Sequence, residues 1–283
     1  LVMPSEQSQP PAAEFPPEDA EDAGARLAHV CLQLRRIRET ICPLNGVLVT
    51  TPFQTLADQS PTGLKRIRTM NAALKGDLET IRSCTKTRCG VTHIVNGLDE
   101  DAGFRELIRR VGPERALNQR FGKGFDIWAP PVREQLDALS KHACGAFEDA
   151  CYVLFQDRNG LQKRGNRHLY LLLCAIRLGF NNQLSQLLQN CYSVEPQAGS
   201  LIQQEPLLFS GCYFIADGSR PEHQAFLPDV FRKLSTEQGF LEWGSEATSE
   251  ETTVQRIIQF LLILDGVLVA AIIAMLVKFK YFS

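Results

Sequence analysis

The sequence predicts an α/β protein: a parallel sheet with flanking helices, an added helical part and a C-terminal transmembrane helix. Three observations predict it. Two short β-branched apolar runs, "GVLVT" (46–50) and "GVTHIV" (90–95), are each followed by a segment with helical periodicity, the alternation of a parallel sheet with crossover helices. A stretch from about residue 132 to 192 is rich in apolar helical periodicity. Finally, "IIQFLLILDGVLVAAIIAMLV" (257–277) holds 21 residues with one charge.

Residues 1–25 carry six acids and no Lys or Arg and are rich in Pro and Ala. Nothing there can bury a face, so we expect a disordered linker. Leu27, Val30, Leu34 and Ile37 recur at helical spacing to about Thr40, and Pro43 stops that helix. Val47, Leu48 and Val49 form a continuous apolar run, the pattern of a central strand covered on both faces. Leu64, Ile67, Leu74, Leu78 and Ile81 line one side of the next helix, with Lys65, Arg66, Arg68 and Lys75 elsewhere. "GVTHIVN" gives the second strand and "DAGFRELIRRV" its helix. "GPERALNQRFGKGFDIWAPP" reads as a polar loop. "VREQLDALSKHACGAFEDACYVLFQ" reads as a long helix, "DRNG" as a turn, and "NRHLYLLLCAIRLGFNNQLSQLLQNCY" as an apolar helix bent near Gly179. "LLFSGCYFIAD" is a further strand and "FLPDVFRKL" a short helix. The expected organisation is a linker over 1–25, an α/β domain with a helical insertion over 26–240, a linker over 241–256 and the span over 257–277.

Composition narrows the function. The net charge of −2 gives no reason to expect nucleic acid as a partner. Residues 26–183, however, carry 24 basic and 15 acidic residues. That surplus suits an acidic partner, an anionic membrane face or simply a solvated helical surface. The nine Cys are unpaired in spacing, with no C-x-x-C. They read as reduced thiols packed as small apolar residues, and no metal site is expected. The chain starts at Leu1 without a visible signal peptide and reads as part of a longer product.

"NGLD" (96–99) sits between the second strand and its helix. In that position an Asp can accept both N–H donors of a guanine edge and an Asn amide can support the purine. Asp99 and Asn96 stand at those places, whereas the Lys whose stem packs along the base is replaced by Gly97. The competing explanation is local: Asn and Gly make the turn, and Asp99 caps the following helix. A phosphate cradle is missing, since no G-x-x-x-x-G-K-[ST] occurs in the sequence. "RFGKGF" (120–125) is a glycine loop and no more. These residues alone cannot hold or cleave GTP, so we expect no catalytic residues and no cofactor within this chain. GTP or ATP would bind only together with an upstream half. His93 reads as a hydrogen-bonded core residue rather than a base, and "EDAC" (148–151) as a helix face.

The 257–277 segment would reach about 30 Å, the thickness of a bilayer core. A buried core helix is the alternative, but only Gln259 and Asp265 are polar. Gly266, Ala270 and Ala274 repeat every four residues, a small-residue face on which helices approach closely. Asp265 beside it costs about 2.5–3.5 kcal/mol against lipid and should meet a partner or water. A passive anchor with an incidental Gly is the other explanation.

Four segments in order resemble the IcmF/TssM family of type VI secretion inner-membrane components. "RRIRETICPLNGVLVTTPFQTL" resembles its "R-P-[IL]-N-G-V" segment, and "VTHIVNGLDEDAGFRELIRR" its "V-x-x-V-x-T-K-x-D-x-x-x-G-F-x-E-x-F". "FGKGFDIW" is similar to its "W-G-F" element, and "EPLLFSGCYFIADGS" to its "P-x-x-x-R-G-x-Y-F-T-S-G". Gly97 departs from the family's Lys, and Ser210 stands where the family has Arg. The resemblance covers roughly residues 28–232. It implies the second half of a GTPase-like cytoplasmic domain, a partial GTPase-like parallel sheet, followed by a transmembrane helix in a bacterial inner membrane. Implied partners are inner-membrane secretion-complex subunits, the membrane and a second copy through the span. Lys278 and Lys280 after the span favour a cytoplasmic C-terminus, whereas the family places the N-terminal domain in the cytoplasm. We follow the domain. A membrane-anchored scaffold subunit with a degenerate nucleotide site is therefore the leading expectation. An NTP-binding or GTP-hydrolysing subunit completed by an upstream half, or a tail-anchored adaptor unrelated to secretion, are the alternatives.

Overall fold

A computed structural model describes residues 17–38, 42–194, 207–218 and 224–282. Residues 1–16 of the expected linker lie outside the described residues. The rest of that linker is helical, because α1 runs from Pro17 to Ile37. Then come β1 (Val47–Pro52), α2 (Phe53–Ala57), α3 (Pro61–Thr85), β2 (Thr87–Arg88), β3 (Gly90–Asn96) and α4 (Ala102–Val111). Ser60 caps α3 by accepting from the Gly63 N–H at 3.0 Å, with Pro61 at the first helical position.

The segment expected to be a polar loop instead forms α5 (Pro113–Asn118) and strand β4 (Phe121–Gly124). The helical part follows: α6 (Arg133–Gln156), α7 (Asn166–Ala175), a π-helical segment Ile176–Phe180 and α8 (Asn181–Tyr192). That π segment is the irregularity expected near Gly179. β5 (Leu208–Phe214), β6 (Ala216–Asp217), β7 (Gln224–Ala225), α9 (Leu227–Glu237) and β8 (Glu242–Trp243) complete the folded body.

The four-stranded sheet has the order β1-β3-β5-β4. β1, β3 and β5 are parallel, and β4 runs antiparallel to β5. β1 is thus an edge strand of the described sheet and not the central strand its apolar run suggested; Leu48 is 40% exposed. Of the apolar run, Val49 alone is buried, with Val47 half-buried and Leu48 exposed. The central strands are β3 and β5, with every residue of β5 buried. One face carries most of the core: Phe214 packs against Phe147, and Phe147 against Phe121, at ring separations of 4.8 and 4.6 Å. On the other face α9 places Val230 and Leu234 against Ile94, Tyr213 and Ile215.

Glycines let β4 lie against β5. Gly211 (φ +140°) and Gly122 (φ +129°) have backbones that side chains rarely adopt. A Cβ on Gly122 would meet the Cys212 carbonyl at 2.4 Å, and one on Gly211 the Lys123 carbonyl at 2.6 Å. The glycines of "RFGKGF" therefore serve strand pairing. Between Val91 and Thr92 the β3–β5 register shifts, so that Ser210 is an extra, bulged residue.

Beyond β8, which pairs antiparallel with β2, the chain enters α10 (Ser245–Phe282). The expected linker over 241–256 is thus partly strand and partly the start of that helix. Residues Ala247–Ile273 are long and apolar enough to cross a membrane, and none of that window is buried.

Candidate functional site

The "NGLD" residues lie at the carboxyl ends of the parallel strands, where open α/β sheets commonly bind ligands. Asn96 ends β3 opposite Pro52 of β1. Gly97 turns the chain with φ +71°, and Leu98–Glu100 form one 3-10 turn before α4. The cap expected of Asp99 is made by Asp101, whose carboxylate accepts from the Gly103 and Phe104 N–H groups at 2.8 and 2.9 Å. Asp99 is half-buried, and its carbonyl accepts from Arg105 at 3.1 Å. Its carboxylate is thereby left out of the capping that would otherwise explain it. Asn96 Oδ1 is buried without a hydrogen-bond partner among the described residues.

The sequence did not single out Asp217. It stands in β6, just past the end of β5, and accepts from the Gly97 N–H at 3.4 Å. The loop after β5 thus joins Asn96–Asp99 in one corner. Toward the amino end of β5, away from that corner, the bulged Ser210 donates to Glu237 at 2.6 Å and contacts Lys233, which also pairs with Glu237. Ser210 therefore meets a cation from α9. Burial holds the Lys233 ammonium below its ordinary range, and the bond to Glu237 opposes that shift.

The membrane-helix residues stand apart from this corner. Asp265, Gly266 and Ala270 lie on α10, uncovered by the folded body, with no atom within 4 Å of a Cβ built on Gly266. The side chain of Ala274 lies outside the described residues. Spacing of four residues keeps these positions on one stripe.

A protein-family model for the IcmF-related N-terminal domain matches residues 20–216. The chain belongs to the IcmF-related family. The match covers more than half of the chain and includes Asn96 and Asp99, but stops before Asp217, α9 and α10. Searches of curated proteins and of solved structures find no match. Family membership supports association with a type VI secretion-like system and its subunits.

In this IcmF-related chain most cysteines are packed inside the fold. All nine cysteines are free thiols and seven are buried. Burial pushes the Cys144 thiol up to about 12 and those of Cys89, Cys151 and Cys191 up to about 11, so none of these four is a ready nucleophile. Glu148 of "EDAC" pairs with Arg177, as a helix-face residue would. Among the described residues no group of three or more His, Cys, Asp or Glu side chains gathers as a metal site.

His93 is fully buried and lies 3.0 Å, through Nδ1, from the Tyr192 hydroxyl. Burial pushes its pKa down to about 3. Because the unfolded imidazole titrates near its ordinary 6.5, the unfolded chain binds more protons between those values, and stability rises with pH across that window. We expect about 2 kcal/mol of stability to be lost between pH 7 and pH 5 through this residue alone. The check is urea unfolding of the detergent-held chain at several pH values; His93→Gln should flatten the slope between pH 5 and 6.5. An unchanged slope would mean that His93 is solvated.

Proposed function

We propose that this chain is a membrane-anchored structural subunit of a type VI secretion-like envelope complex, its folded body carrying a degenerate, GTPase-like base-reading corner. The observation that carries this is α10. An IcmF-related domain, matched over residues 20–216, is followed in the same chain by a 38-residue helix whose apolar window the folded body leaves uncovered. Exposed apolar residues on every side of a helix have a large free-energy gain in lipid and none in water. Within the bilayer, Gly266, Ala270 and Ala274 form the contact stripe for a second copy or another subunit, and Asp265 meets a polar partner there. The bacterial inner membrane is its location, with the folded body on the cytoplasmic side.

The full chain should pellet with membranes and resist carbonate extraction. In a membrane two-hybrid assay, Gly266→Leu is expected to bring association down to background. Release by carbonate would remove the anchor; association unchanged by Gly266→Leu would remove the packing stripe.

A second reading, an NTP-binding subunit completed by a phosphate-binding half outside this chain, draws support from the corner itself. There Asn96 Oδ1 lacks a partner and Asp101 frees Asp99 from capping. GTP binding by this chain combined with such a phosphate-binding half, lost in Asp99→Ala, would favour that reading over the scaffold with a degenerate site.

A further inference from the structure

α7 is apolar on both sides. Leu169, Leu172 and Leu173 are buried against the body, whereas Tyr170 and Leu171 are exposed. A helix that is apolar all round is normally covered all round, yet the outer face of this one is bare among the described residues. The bare surface continues beyond α7. Leu178, on the π-helical segment that follows, is 79% exposed. Leu161, in the 3-10 turn Gly160–Gln162 that precedes α7, is 76% exposed. Asn166 donates to the Leu161 carbonyl at 2.9 Å, which fixes that turn to the start of α7. From α6, Tyr152 is exposed beside the same surface, and its hydroxyl accepts from Arg177 at 3.0 Å. Exposed apolar side chains gathered in this way mark an interaction surface.

Its charge says of which kind. Residues 150–178 carry five cations and one acid, Asp157. Lys163 pairs with Asp157, and Arg177 with Glu148. Arg158, Arg164 and Arg167 are exposed and have no acidic partner among the described residues. Arg167 shares one stripe of α7 with Tyr170 and Leu171, three and four positions on. Leu and Tyr side chains flanked by unpaired Arg suit an anionic bilayer interface. There the apolar groups reach the acyl boundary, while phenol hydroxyls and guanidinium groups stay among the headgroup phosphates. A folded protein partner would need acids placed in register with these arginines. A layer of anionic headgroups supplies them at any position.

We propose that this outer face of the helical part docks on the surface of an anionic membrane: Leu161, Tyr170, Leu171 and Leu178 enter the interface, and Arg158, Arg164 and Arg167 take lipid phosphates. In one respect this rests on α10 as the anchor. A tethered body meets the bilayer at high effective concentration, so that a modest face suffices to dock it.

The test places the full chain, purified in detergent, in nanodiscs of phosphatidylglycerol or of phosphatidylcholine. Amine labelling of Lys163 and deuterium uptake over residues 157–166 are then followed. We expect Lys163 to label at least about fivefold more slowly on phosphatidylglycerol than on phosphatidylcholine, with uptake falling in parallel. Arg158→Glu, Arg164→Glu and Arg167→Glu together should abolish that difference. Leu161→Ser with Leu178→Ser should reduce it. All five side chains are exposed, so the thermal midpoint in detergent should not move. Equal labelling in the two lipids would overturn the proposal and leave the face to an acidic protein; a difference that survives either set of substitutions would overturn it too. Carbonate extraction reports on α10 separately: release by carbonate with the lipid difference intact would remove the anchor and keep the docking face.

Discussion

Phe214→Ala is expected to destabilise the folded body by about 3–5 kcal/mol, read as a fall in the urea midpoint of the full chain in detergent. Phe214 is fully buried on β5. Its ring meets Phe147 at 4.8 Å, Phe180 at 6.0 Å and Phe121 at 6.1 Å. Those rings come from α6, the π segment and β4, so one side chain joins the sheet to the helical part. The loss has two parts: the transfer energy of the ring, and a cavity that the rigid aromatic neighbours cannot close. The change also lies two residues before Ala216, where the loop carrying Asp217 begins, and should loosen the corner around Gly97. A loss below about 1 kcal/mol would mean that the core is not assembled around β5.

Glu106→Ala is expected to cost about 3 kcal/mol, because it strands a buried cation. The Arg110 side chain is only 3% exposed. Its Nε donates to Glu106 Oε1 at 2.5 Å, and its Nη2 to the Arg164 carbonyl at 3.0 Å and to Asn166 Oδ1 at 2.8 Å. It thereby ties α4 to the start of α7. Hydrogen bonds from Arg109 and then Arg110 hold the Glu106 carboxyl below the usual glutamate range, against the opposing effect of burial. A depressed carboxyl contributes stability that is fully present above its unfolded pKa, about 4.5, and is lost as the pH falls through the lower folded value. The variant should therefore show a shallower acid limb below about pH 4.5, besides its lower stability at pH 7. Adding Arg110→Met, which removes the stranded charge, should recover part of the loss. An acid limb identical to that of the parent chain would contradict the pairing.

Much of the fold was legible because it rests on periodicity. The helices around Leu64–Ile81, Phe104–Val111 and Leu136–Cys151 announce themselves by apolar spacing, and "GVTHIV" by its unbroken run. Three features were not legible. β1 carries the apolar run of a central strand yet sits at the sheet edge with Leu48 exposed, since three apolar residues in a row do not decide which strands and helices come to cover them. β4 hid in a glycine-rich, polar stretch, because its pairing depends on the bare backbone of Gly122 and Gly211 and on no side-chain pattern. The amino ends of α1 and α10 began earlier than apolar spacing suggested, since their first turns carry few apolar residues to announce them.

In the corner, Asn96 and Asp99 were recognisable from residue type and from their place after a strand. The choice between Asp99 and Asp101 as the cap depends on which carboxylate reaches the first free N–H groups, and spacing left both in reach. Asp217 stands 118 positions beyond Asp99, and only the parallel pairing of β3 with β5 brings their loops together.

The sequence by itself determined where helices and core strands form, that a long apolar segment follows them, and that no phosphate-binding motif lies within the chain. Those properties are set by neighbours within a few residues, through periodicity, charge and length. Only the tertiary structure decided strand order, which carboxylate caps α4, which distant loop completes the corner, and that the apolar helix is left uncovered. Those outcomes depend on contacts between residues far apart in the chain, and on competition among groups that short-range pattern leaves equivalent.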